Sequence, residues 1–343
     1  MTAGATSLTP SLHFGCFGSF SIKKTSRVSL RIARSTDGGA TWSSKQVTAA
    51  TPTGKNQFWN GCTLRTDSRG TVYVFFEGSV KDQRVHMMVR SFDGGVSFER
   101  ARPVAPVTPV GAFDAFQDRL RFDGVRGGRT NSDPSVDISN GAPTGDGATD
   151  QIVLAWSDGR DGLNHEELLV QSSRDRGETW STPVNLAEDG DRPNFPAVAI
   201  SPDGEDLYLV YNAHLDPYRS TTVQPRRMQG VVRHAEVSVI DGQISNVTTL
   251  HRGAIGDTRG AGGNLNPFQE FLGDYNNAVA TNDYGSAVWV DARNAAVCPA
   301  VNDYRELFLI GGSAITPPFL ATDCPFEFGN TDIFGFTATD PTP

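Results

Sequence analysis

Arginines and carboxylates recur together where apolar segments of this sequence end. Trp156-Ser157-Asp158-Gly159-Arg160 and Trp289-Val290-Asp291-Ala292-Arg293 repeat one spacing, and Phe271-Leu272-Gly273-Asp274-Tyr275 sets a phenol beside an acid. A planar guanidinium pairs bidentately with a carboxylate. Arg129, Arg192 and Arg293, with Arg160 in reserve, therefore form a candidate clamp for an anionic ligand, and Trp59 a candidate aromatic wall. A phenol, with a pKa of about 10, is a poor nucleophile unless a neighbouring carboxylate takes its proton. Tyr275 has the Asp274 carboxylate next to it in sequence, and Glu77, Asp158 and Asp291 are further acids at the ends of apolar segments. Each assignment has a structural alternative. The twice-repeated Asp-x-Arg spacing also suits a repeated ion pair, and Tyr275 also suits an aromatic that closes a channel.

The elements that must position these residues are short strands. An eight-residue pattern, Ser-x-Asp-x-Gly-x-x-aromatic, occurs three times: Ser35, Asp37, Gly39, Trp42; Ser91, Asp93, Gly95, Phe98; and Ser173, Asp175, Gly177, Trp180. Each copy lies between apolar or alternating stretches and reads as a hairpin turn. The aspartate accepts from nearby backbone N–H groups, the glycine supplies positive φ, and the aromatic is expected to pack beneath the hairpin. A longer repeat surrounds these turns. Gly61–Arg65 leads through a turn into Thr71–Glu77, Pro134–Ile138 into Ile152–Asp158, Pro196–Ile200 into Leu207–Asn212, and Asn277–Ala280 into Ala287–Asp291. The unit is strand A, tight turn, apolar strand B ending in a polar residue, loop, strand C, turn, strand D, which is a four-stranded propeller blade.

Five such units are visible, the terminal two incomplete. Residues 27–47 read as strands C and D alone, and Thr331–Phe336 as a strand C with no D after it. The incomplete first unit implies sequence upstream of Met1. Residues 295–329 interrupt the last unit with a short helix over Val301–Ile310. Of the four cysteines, Cys16 with Cys62 and Cys298 with Cys324 are the favoured disulfides, because each pair brackets a loop-like segment. Four separate buried thiols are the alternative.

Composition narrows the partners. A net charge of −9 argues against a nucleic-acid partner, since that binding neutralises phosphates with Lys and Arg. No apolar run approaches the roughly 20 residues of a membrane span, and the first 24 residues lack a signal-peptide pattern. No metal motif is convincing, though the acidic loop around Asp146 and Asp150 is a conceivable Ca²⁺ site. His214 and His234 lack a Ser or Cys partner in any recognisable motif and receive no role.

With its Asp boxes and its Trp-x-Asp-x-Arg and Gly-Asp-Tyr segments, the chain resembles the bacterial sialidase-like proteins with Asp-box (BNR) repeats over nearly its whole length. The resemblance implies an all-β, six-bladed propeller forming a single domain over residues 1–343, an extracellular setting, a glycan partner and exo-α-sialidase activity without a cofactor, with Tyr275 as the nucleophile, Glu77 or Asp274 as its base and Asp158 or Asp291 as the proton donor. It departs from the family in lacking an Arg-Ile-Pro segment. Two alternatives stand beside it: a polysaccharide lyase on uronate-containing chains, with Tyr or His as base, and a non-catalytic glycan- or protein-binding propeller. In a four-stranded antiparallel blade the B–C and D–A connections share one face, opposite the Asp boxes. The residues expected there are Glu77, Asp158, Arg160, Asn212, His214, Asp291 and Arg293 at strand B ends. Before strand A stand Trp59, Asn60, Arg129, Asn131, Arg192, Asn194, Asp274 and Tyr275.

Overall fold

The structure is a computed structural model that describes residues 12–20, 27–49, 51–52, 60–114, 119–123, 130–263, 266–270, 272–273, 275–311 and 315–342. It is all-β apart from short helical pieces, and it divides into two compact units, Met1–Pro106 and Val107–Pro343. No described helix is long and apolar enough to cross a membrane.

The first unit contains two antiparallel sheets. One runs β1 (His13–Phe20), β2 (Arg27–Ser35), β3 (Ser43–Gln46), with β4 (Thr51–Pro52) also paired to β2. The other is β5 (Asn60–Thr66), β6 (Val72–Val80), β7 (Gln83–Ser91), β8 (Arg102–Pro106). Side chains two apart in a strand share a face, so Leu30 and Ile32 of β2 meet Val72, Val74 and Phe76 of β6 and Val85, Met87 and Val89 of β7 in one core. The region around residues 27–47 thus holds more than strands C and D. β1 pairs along the length of β2, from His13 opposite Ser35 to Phe20 opposite Val28. Gly15, Gly18 and Ser19 interrupt the apolar alternation of β1 and conceal it in the sequence. A Cys16–Cys62 disulfide joins β1 to β5.

The second unit opens with a ribbon of β9 (Ala112–Asp114) and β10 (Arg119–Arg121). A sheet of β11 (Ser135–Ile138), β12 (Ile152–Asp158), β13 (Glu167–Ser173) and β14 (Val184–Asn185) follows. Next come β15 (Arg192–Ile200), β16 (Asp206–His214), β17 (Arg227–Val237) and β18 (Ile244–Arg252), with β19 (Gly256–Asp257) on β17. After a short ribbon of β20 (Gly262–Gly263) and β21 (Asn266–Glu270), the last sheet is β22 (Asn277–Ala280), β23 (Tyr284–Asp291) and β24 (Asp332–Thr339). Between β23 and β24 lie α1 (Pro299–Gly311) and α2 (Leu320–Asp323), joined by a Cys298–Cys324 disulfide whose sulfurs sit with Val301 and Phe328 in a small core.

The middle sheet is buried on both faces. Val198, Ile200, Leu207 and Leu209 pack on Val153, Ala155, Leu168 and Val170 of the preceding sheet. Ala197, Val210 and Val232 pack on Ala287 and Trp289 of the following one. This is why β16 reads as an unbroken apolar run while β23 alternates.

The turns β2–β3, β7–β8 and β13–β14 carry the octapeptide repeat. The Ser35 hydroxyl donates to Asp37 (2.7 Å) and accepts from the Gly39 N–H (2.9 Å). Ser91 and Ser173 do the same with Asp93 and Gly95 and with Asp175 and Gly177. One further member belongs to the motif: the hydroxyl residue at position seven, Thr41, Ser97 or Thr179, gives both its N–H and its O–H to the aspartate. The aromatic position is less uniform. Phe98 packs on the core of the first unit, but Trp42 is 52% exposed and donates its indole N–H to the Gly39 carbonyl, so it does not pack beneath its hairpin.

The Thr41 hydroxyl and N–H, then Ser35, hold the Asp37 carboxyl at about 2, against an ordinary value of about 3.9. A depressed carboxylate stabilises the fold fully above its ordinary pKa and loses that contribution as pH falls through the lowered one. In a carboxyl NMR titration Asp37 should stay ionised at about pH 3, and Thr41→Val should raise its midpoint. A midpoint unmoved by that substitution would contradict the assignment.

Candidate functional site

In the antiparallel sheets of the second unit, the ends of second strands, the starts of third strands and the chain entering first strands lie at one end. Several buried charged residues of this unit lie there, among them Asp158, Arg192 and Asp291.

Two of them close second strands by the same device. Asp158, fully buried, accepts from the Trp156 indole (2.7 Å), the Arg160 N–H (2.9 Å), the Arg160 guanidinium (3.0 and 3.2 Å) and the Thr108 N–H (3.2 Å). Asp291 accepts from the Trp289 indole (2.9 Å), the Arg293 N–H (2.7 Å) and the Arg293 guanidinium (2.7 Å). The spacing explains the clasp. Trp and Asp two apart in a strand share a face, and the arginine two further on lies past the strand end and folds back onto the carboxylate. Gly230 leaves room for the Trp289 ring, since a Cβ there would fall 2.1 Å from the indole nitrogen. Asp257 makes a third version with Arg259, taking its N–H (3.1 Å) and guanidinium (2.7 Å), without the tryptophan. Asp158 and Asp291 are thus saturated acceptors, and Arg160 and Arg293 are their partners; Arg293 also stacks 3.8 Å over the Phe334 ring.

Arg192, at the start of β15, is 3% exposed and satisfied within the unit. Its guanidinium pairs bidentately with Glu166 (2.8 and 2.8 Å) and donates to the carbonyls of Asp216 (3.0 Å) and Phe122 (2.9 Å), over the Phe122 ring at 4.7 Å.

Beside this pair stands a centre that is not saturated. His214, at the end of β16, is buried, its ring 4.4 Å from Phe122 and its Nδ1 3.7 Å from the Asp123 carboxylate. Its Nε2 has no partner. Asp123 accepts from the Thr258 hydroxyl (3.3 Å), and the Thr258 N–H donates to the Arg226 carbonyl (2.9 Å), which brings Arg226 alongside. Arg226 is 2% exposed. Its Nη2 donates to the carbonyls of Arg219 (2.7 Å) and Thr221, whereas Nε and Nη1 have no partner. Burial pulls its pKa down, the Asp123 charge opposes that, and the half-buried Arg219 adds to the fall. The loop that carries Arg219, with Tyr218, Thr221 and Gln224, lines an open cleft. An unmet buried donor costs about 1–3 kcal/mol, so two guanidinium N–H groups and an imidazole nitrogen without protein partners are suited to a bound anion.

The remaining candidates are spread out. Tyr275 is 81% exposed at the same end of the unit, while its neighbour Asn276 donates to the Phe195 carbonyl (2.7 Å) and to Asn212 (2.9 Å). Asn194 accepts from the Asn131 N–H (3.0 Å). Glu77 belongs to the first unit, where it is buried against Arg84 (2.9 Å) across the β6–β7 hairpin. Trp59, Arg129 and Asp274 lie outside the described residues. Asp146 and Asp150 are not in the described group of possible metal ligands.

Sequence reasoning passed over Asp123, Glu166, Arg226 and Thr258. A signal existed for two of them. Glu166 and Arg226 immediately precede β13 and β17, and the starts of third strands lie at the same end as the ends of second strands. Glu167 shares this position; burial and then the Asp161 carboxylate push its pKa up.

No family model matches the chain, and no curated protein matches it. Among solved structures it is similar to the GH93 α-L-arabinofuranosidase of Fusarium graminearum in complex with arabinobiose, at 20% identity and a TM-score of 0.42 over 68% of this chain. That match takes in 65% of the arabinofuranosidase chain, under two thirds of its length. It is also similar to the intramolecular trans-sialidase from Ruminococcus gnavus (11% identity, TM-score 0.35, 82% of this chain and 88% of that one). A third is a Hadza microbial sialidase (14%, TM-score 0.37, 81% and 60%).

Removing one partner of a buried ion pair leaves an uncompensated charge and costs about 3–5 kcal/mol. Glu166→Ala should lose stability of that order in urea unfolding. A loss under about 1 kcal/mol would contradict the deep placement of the Arg192–Glu166 pair.

Proposed function

We propose that this chain is a glycoside hydrolase that takes a carboxylate-bearing sugar at the Arg226 centre, in the manner of an exo-sialidase releasing terminal sialic acid. The observation that supports this reading is the pair of unmet donors, Nε and Nη1, on an otherwise buried arginine. Nε and Nη1 lie on opposite sides of the guanidinium, so each offers an anion its own charge-assisted N–H donor, and Arg219 adds a second positive charge. Tyr275 is the nucleophile that the sialidase version calls on. The Asp-box resemblance supports reading the sheets as blades of a six-bladed, single-domain, secreted propeller.

A lyase reading has one observation in its favour. The His214 imidazole turns Nδ1 toward Asp123 and leaves Nε2 unpaired, which is the arrangement of a base beside an arginine able to neutralise a uronate carboxylate.

A fluorogenic sialoside and a uronate polymer separate the two. The hydrolase reading predicts sialic acid release, at least 100-fold weaker kcat/KM in Arg226→Met, about 2.7 kcal/mol in transition-state stabilisation, and loss of turnover in Tyr275→Phe with substrate affinity kept. Circular dichroism reports whether Arg226→Met remains folded. Unsaturated products absorbing in the ultraviolet, without sialic acid release, would replace it with the lyase. Turnover of the sialoside unaffected by Arg226→Met would overturn the site.

A further inference from the structure

The opposite end of the second unit holds another converging set of side chains. Asp206 opens β16, His234 lies opposite Tyr208 in β17, and Asp340 follows β24. The His234 Nε2 stands 2.7 Å from the Asp206 Oδ1 and 3.9 Å from the Asp340 Oδ1, and the donor atoms of all three residues lie within 4.8 Å of one another. The histidine is fully buried, and both carboxylates are nearly so. Asp340 is fixed by its own backbone. Its N–H donates to the Asp283 carbonyl (2.8 Å), and its Oδ1 accepts from the Thr342 N–H (2.8 Å).

A second observation points to a ligand. The Tyr208 hydroxyl, on a side chain 1% exposed, has no hydrogen-bond partner, and the His234 Nδ1 has none either. The Tyr208 ring lies 5.1 Å from the imidazole, under Gly285, where a Cβ would fall 2.1 Å from the ring.

The geometry points to a divalent transition-metal site, of the zinc class, formed by Asp206, His234 and Asp340. Two carboxylates and a neutral imidazole carry a charge of −2, which such an ion cancels, and the mixed nitrogen and oxygen donors suit zinc better than calcium. Bonds of about 2.0–2.2 Å in a tetrahedron put donors roughly 3.3 Å apart; the present separations of 2.7 and 3.9 Å bracket that value. The Tyr208 hydroxyl then donates to a ligating carboxylate or to the water that completes the tetrahedron. The ion ties the end of β24 to β16 and β17. It is separate from the Arg226 centre, because Asp206 and His214 bound the two ends of β16, roughly 26 Å apart at about 3.3 Å per residue.

The test is metal binding by the full chain after chelation and dialysis, followed by calorimetry with Zn²⁺ and visible absorption with Co²⁺. One equivalent of Zn²⁺ should bind saturably, raise Tm and give Co²⁺ d–d bands. Asp340→Asn, folded by circular dichroism, should bind at least tenfold more weakly, and Asp146→Asn should bind as the parent does. Absence of saturable Zn²⁺ and Co²⁺ binding, preference for Ca²⁺ over Zn²⁺, or full affinity in Asp340→Asn would each overturn the site.

Discussion

A charge carried into the interior of a protein must find its counter-charge and its hydrogen bonds there, and this requirement organises one end of the larger unit. Taking an ion out of water costs several kcal/mol even after relaxation. Arg192 meets the requirement with Glu166, two carbonyls and an aromatic face. Arg160, Arg259 and Arg293 meet it with aspartates two residues away. Arg226 is as buried as Arg192, yet two of its donor nitrogens, Nε and Nη1, are left over, whereas Arg293, held by Asp291, leaves its Nε.

The sheets make this arrangement possible. Each antiparallel order returns the chain to the same end after every second strand, so residues far apart in sequence, such as Asp123, His214 and Thr258, meet without long excursions. The core anchors the strands beneath them. The middle sheet is packed on both faces, which fixes β16 and β17 against the neighbouring sheets and holds their termini in place. The opposite termini of the same two strands carry Asp206 and His234, so one pair of strands presents a polar group at each end.

Much of the fold was legible because strand and turn signals are local. Alternation, Gly and Asp turns and the serine–aspartate repeat mark β5, β11, β12 and β22 nearly to the residue, while β6, β15, β16 and β23 run two to four residues further at one end. β1 was not legible, since its glycines break the alternation on which strand recognition depends. The site was legible only in part. The Trp-x-Asp-x-Arg spacing is visible in the sequence, but whether such an arginine binds a ligand or its own aspartate depends on a side-chain conformation that spacing does not encode. Arg226 carries no such spacing: it immediately precedes a third strand, β17, and meets Asp123 and Thr258 only through the fold.

Function in this account rests on the difference between a satisfied and an unsatisfied buried guanidinium. The most direct measurement is a crystal structure of the protein soaked with N-acetylneuraminic acid. The account predicts the sugar carboxylate accepting from Nε or Nη1 of Arg226, with the pyranose ring beside His214 and Arg219. A sugar seated instead on Arg160 or Arg293, with the Asp158 or Asp291 clasp opened to receive it, would contradict it.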